Sequence, residues 1–112
     1  MAVRMTKPWQ PLSASGIAVL AGHMGVYELA NAAGEVLLIG CADARSRFGL
    51  RGELVRLVAS PPTGAAQYRV EITTAYLTRW QELMMVHAAD HGTLPPLNPA
   101  ADAARLGRLS PA

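Results

Sequence analysis

Polar and apolar positions alternate over Gly25-Val26-Tyr27-Glu28-Leu29-Ala30, and a β-rich run, Glu35-Val36-Leu37-Leu38-Ile39-Gly40, follows after Asn31 to Gly34. Two such runs joined by turn-forming Asn and Gly predict a β-hairpin. From Arg45 to Ala59, Phe48, Leu50, Leu54, Val55 and Leu57 recur near helical spacing, and Ser60-Pro61-Pro62 ends the element. Gln67 to Thr73 alternates again, which places Tyr68, Val70 and Ile72 on one face of a third strand. Arg79 to His91 is apolar on most sides, with Thr78 and Gln81 in capping-box positions and Gly92 as a stop, so it predicts a helix packed on more than one face. Ahead of the hairpin, Pro8 and Pro11 favour an irregular lead-in pinned by Trp9, with Ser13 or Ser15 capping a short helical turn through Ile17. The order strand, strand, helix, strand, helix predicts an α/β domain with a small three-stranded sheet covered by helices. Its parts are a lead-in over 1–15, a folded body over 16–98, and a tail or frayed helix over 99–112.

Composition narrows the reading. With 112 residues the chain suits one domain, and 20 of its hydrophobic residues are alanines, so the core is adequate rather than large. A formal charge of +2 excludes a protein that holds nucleic acid by bulk charge, and any such contact must be local. The segment 45–56 meets that condition: Arg45, Arg47, Arg51 and Arg56 against Glu53 give a local +3. Cys41 alone excludes an internal disulfide framework and a thiolate zinc site, which fits a reducing, cytoplasmic setting. His23 and Glu35 interrupt the apolar runs well short of the roughly 18 residues of a membrane span, so no membrane partner is expected.

Several side chains invite both a chemical and a packing interpretation. His87 and His91, four apart on one helix face, have metal-ligand spacing, yet two ligands make a weak site and His91 also suits the negative end of the helix dipole. Cys41 reads as a small side chain at a strand end, and Trp80 with the methionines as core. Glu82 stands out, because a carboxylate in a largely apolar helix needs a partner. That partner is a ligand, or Arg79 three positions back.

Gly25-Val26-Tyr27, then ten residues, then Leu38-Ile39-Gly40 resembles the paired signature of the GIY-YIG nuclease family. That family follows its second motif with an Arg-bearing helix, a strand, a helix with one Glu, then Pro and Asn. The counterparts are Arg47 or Arg51, the Tyr68 to Thr73 strand, Glu82, Pro96 and Asn98, so the resemblance covers about residues 25–98. It implies a GIY-YIG endonuclease-like fold and metal-dependent hydrolysis of a nucleic-acid phosphodiester. Tyr27 would orient the attacking water, Arg47 or Arg51 would stabilise charge at phosphorus, Glu82 would bind Mg²⁺ or Mn²⁺, and Arg45 and Asn98 would contact substrate.

The sequence departs from that pattern at three places. Leu38 replaces an aromatic and has no hydroxyl. Phe48 stands where the family arginine usually falls. The histidine expected one turn beyond that arginine is replaced by Arg51 or Val55. These departures define a second reading: a catalytically degenerate module of the same fold that binds nucleic acid or a protein, or self-associates through the apolar Arg79 to His91 helix.

Overall fold

Residues 4–18, 20, 22–43, 48–99 and 102 are described by the structure, a computed structural model. The chain runs β1 (Gln10–Pro11), α1 (Ala14–Ala18), β2 (Gly25–Ala30), β3 (Val36–Ala42), α2 (Gly49–Ala59), β4 (Gln67–Ile72) and α3 (Tyr76–His91). The strands form one antiparallel sheet in the order β1-β4-β2-β3. A four-stranded sheet therefore replaces the three-stranded one expected from periodicity. The extra strand is two residues long and includes Pro11, whose missing N–H is tolerated only at an edge, so it leaves no alternating pattern. Its partner β4 is nearly sixty residues away, paired Gln10 with Tyr68 and Pro11 with Gln67.

The hairpin forms where its sequence predicts it. Asn31 Oδ1 accepts hydrogen bonds from the amides of Ala33 and Glu35, and Gly34 supplies the left-handed conformation, φ 88°, that closes the turn. Central strand β2 is buried along its whole length because both its faces are covered. Tyr27 and Leu29 face α2, in a cluster with Ile17, Leu50, Leu54, Leu57 and Tyr68. Val26 faces α3, in a second cluster with Met5, Ile39, Trp80, Leu83 and Met84. The period of two thus divides β2 between two cores.

The helices begin where tertiary contacts allow. α2 starts at Gly49, later than the apolar spacing implies, because Gly49 holds φ 59° packed against the carbonyls of Gly22 and His23, where any side chain would collide. α3 starts at Tyr76, before the expected Arg79, and the amide of Ala75 donates to Thr73 Oγ1. It ends as expected, with Gly92 at φ 79° donating its amide to the carbonyl of Ala88. Ser13 caps α1, its Oγ accepting from the Gly16 amide. The lead-in belongs to the body: Met5 is buried in the α3-side core, and the Arg69 guanidinium lies 4.1 Å from the centre of the Trp9 ring.

Candidate functional site

Tyr27 is placed by the pairing of β2 with β3, directly opposite Gly40. Its ring lies across Gly40, where a Cβ would collide with it, so that glycine is required by close approach. The phenol is buried on the α2 face. Burial pushes its pKa from 10.0 to about 12, the Glu53 carboxylate adds to the rise, and Arg56 opposes it. A phenol with that value is ionised in roughly one molecule in 10⁵ at neutral pH, which suits a packed, uncharged side chain rather than a proton acceptor. Glu53 and Arg56, joined by a 2.9 Å ion pair one helical turn apart, are the charged groups of α2 that bear on it. Sequence reasoning counted them only as charge, although their spacing of three could have marked a pair.

Glu82 lies on the other side of the sheet. Arg79 donates to Glu71 through Nε and Nη2, at 2.7 and 3.1 Å, and through Nη1 to Glu82. Glu71 is opposite Val26 in the register, on the face covered by α3, whereas Tyr27 and its register partner Val70 belong to the face covered by α2. The sheet therefore separates the phenol from the carboxylate that the resemblance pairs with it. A hard dication asks for about six oxygen ligands. Glu82 offers one carboxylate already bound to a guanidinium, and among the described residues no three His, Cys, Asp or Glu side chains converge on a common point. The residues present do not fit Mg²⁺ or Mn²⁺ there.

Asn98 is spent on the fold. Its Oδ1 accepts from the amide of Ile39 at 2.9 Å and its Nδ2 donates to the carbonyl of Ile39 at 2.8 Å, so one side chain satisfies the outer edge of β3 as a neighbouring strand would. The amide of Leu97 adds a bond to the Leu37 carbonyl, and Trp80 Nε1 also donates to the carbonyl of Ile39. Arg45 and Arg47 lie outside the described residues. Arg51 is exposed on the outer side of α2, with Phe48, Gly52, Val55 and Arg56 around a depression of about 430 Å³. Phe48 is 71% exposed and holds φ 66°, a conformation that costs a bulky residue of order 1 kcal/mol or more. Val55 is 50% exposed beside it.

α3 is less enclosed than its composition suggests. Trp80, Leu83 and Met84 are buried, while Leu77 and Met85 remain exposed. No helix among the described residues is long and apolar enough to cross a membrane.

The fold and its surfaces define a small α/β domain: a four-stranded antiparallel sheet between helices, with a saturated polar face under α3 and an arginine-rimmed apolar depression on α2. The chain belongs to the family described as domain of unknown function DUF7508, whose model matches residues 3–90. No curated protein and no solved structure matches it.

Proposed function

We propose that this domain is a non-cleaving binding module of GIY-YIG type that takes single-stranded nucleic acid on the outer surface of α2. The observation that carries the reading is the exposed Phe48 and Val55 set between Arg51 and Arg56. An aromatic ring offers a stacking face to any base, worth about 1–3 kcal/mol, and guanidinium groups beside it match the phosphates on either side. The formal charge of +2 is too small for charge alone to hold a nucleic acid, so a local patch combining stacking with two cations is what recognition requires.

Hydrolysis is set aside on geometry. Tyr27 is buried with its pKa raised, Glu82 is bound to Arg79 across the sheet, and Leu38 has no hydroxyl. Convergence of acid, cation and phenol within a few ångströms is the requirement of phosphodiester cleavage, and this arrangement does not meet it.

Fluorescence anisotropy with labelled single-stranded DNA and RNA tests the reading. Saturable binding is expected at low salt, weakening steeply as salt rises, with Phe48→Ala and Arg51→Glu each lowering affinity by about tenfold. The oligonucleotides should remain intact with Mg²⁺ or Mn²⁺. Absence of binding at low salt, or metal-dependent cutting, overturns the proposal.

A further inference from the structure

The last two turns of α3 carry a second chemistry, away from α2. His87 and His91 sit one turn apart, their ring centroids 4.3 Å from each other with planes inclined by 35°. Among the described residues neither imidazole is engaged by a protein hydrogen-bond partner. Both rings border two cavities. One, of about 190 Å³, lies towards Glu28, Arg69, Arg4 and Asp90. The other, of about 450 Å³, opens towards the hairpin at Glu35, Val36 and Leu37.

We propose that His87 and His91 together chelate a borderline transition-metal dication, of the Zn²⁺, Ni²⁺ or Cu²⁺ class, at the junction of these two cavities. Imidazole nitrogens bind such ions at about 2.0–2.1 Å, and two ligands at a right angle around one ion stand about 3 Å apart. Rings whose centres are 4.3 Å apart on the same helix face reach that separation by side-chain rotation, with no movement of the backbone. Burial, and then the neighbouring His91, hold the His87 pKa below its usual value, which favours the neutral imidazole that carries a free lone pair.

The remaining coordination positions fall to water in the larger cavity. The nearby carboxylates are already occupied: Glu28 accepts from Arg69 at 2.7 Å, Asp90 accepts from Arg4 at 2.6 Å, and Glu35 accepts from Asn31 at 2.8 Å. Two nitrogens and no free carboxylate select against Mg²⁺ and Ca²⁺ and follow the order in which nitrogen ligands bind first-row dications, with Cu²⁺ tightest. The site is independent of the nucleic-acid reading, since it uses a different helix on the opposite face of the sheet.

Isothermal titration calorimetry of the full chain with ZnCl₂, NiCl₂ and MgCl₂ tests it. One Zn²⁺ or Ni²⁺ per chain is expected, and no heat of binding with Mg²⁺. His87→Gln and His91→Gln, which preserve side-chain size, should each weaken Ni²⁺ binding by at least about tenfold. His23→Gln, at the only other histidine of the chain, should leave it unchanged. Circular dichroism establishes that each variant is folded. Stoichiometric binding that survives both substitutions on α3, binding that disappears with His23→Gln, equal affinity for Mg²⁺, or no binding of Ni²⁺ at all would each overturn the assignment.

Discussion

Under α3 the sheet is held by charge and hydrogen bonding, whereas under α2 it is held by hydrocarbon. On the α3 face, Glu28 is 4% exposed and paired with Arg69, Arg79 is shared between Glu71 and Glu82, and Trp80 donates to the Ile39 carbonyl within an otherwise apolar cluster. On the α2 face, Tyr27, Leu29, Leu54, Leu57 and Tyr68 pack together, while the charged groups of α2 point outward around Phe48 and Val55. Burying Glu28 raises its pKa despite Arg69, so the pair is a cost offset rather than a source of stability in itself. A carboxylate that stands out in sequence can thus be a structural counter-ion. The surface available for binding lies where the sequence showed only a basic helix.

The largest effect should come from the seam of the α3 face. Trp80→Ala removes a fully buried ring and an indole donor whose partner, the Ile39 carbonyl, retains only the Asn98 bond. The expected cost is about 3–5 kcal/mol, which lowers the thermal midpoint by more than roughly 10 °C in a domain of this size. A shift of a few degrees in differential scanning calorimetry would show that α3 is not the clamp argued here.

How much of this was legible in the chain depends on the range of the interaction. Hairpin and α3 stop were readable because local chemistry sets them: alternation, the Asn31 side-chain turn, and glycines at 34 and 92 in left-handed conformations. β1 was not readable, since a two-residue edge strand containing proline exists only through its register with β4. The start of α2 was missed for the same reason, being fixed by the approach of Gly49 to the carbonyls of Gly22 and His23. For the site, the sequence yielded residue types but not faces. Tyr27 and Glu82 both looked functional, yet the face each occupies follows from which helix covers which side, and no periodicity encodes that. Asn98 was misleading in a specific way: an Asn that satisfies both backbone groups of Ile39 is as demanding a requirement as one that meets a ligand.

The second effect in size concerns the α2 face and pH. The Tyr27 phenol has a folded pKa of about 12 against an ordinary value of 10.0, so its contribution to stability is complete below pH 10 and is lost as pH rises towards 12. In that window the unfolded chain releases a proton that the folded chain keeps. Two units correspond to roughly 3 kcal/mol at full loss. Urea midpoints measured at alkaline pH should therefore fall more steeply in the parent than in Tyr27→Phe, and the phenolate absorbance missing from that variant should belong to the last tyrosine to ionise. If the absorbance of Tyr27 instead develops near or below pH 10, the phenol is exposed or activated and the contrast between the faces fails.

A smaller effect probes the contact that seats this phenol. Gly40→Ala places a methyl group in the Tyr27 ring and should cost about 1–3 kcal/mol. Combined with Tyr27→Leu, the penalty should be less than additive, because the shorter side chain vacates the space the methyl needs. Strict additivity in chemical denaturation would mean that the ring does not rest on Gly40.

The smallest effect is the most discriminating. Glu82 is 41% exposed, and its loss leaves Arg79 still bound twice to Glu71, so Glu82→Ala should cost less than about 1 kcal/mol. Removing the shared cation is different, because Arg79→Ala strips both Glu71 and Glu82 of their partner and should cost more than the loss of either acid. Chemical denaturation of the two variants measures that asymmetry. It also separates a counter-ion from a metal ligand: a ligand would leave stability intact but abolish any Mg²⁺-dependent change in the protein. A carboxylate whose only task is to share a guanidinium leaves no such trace.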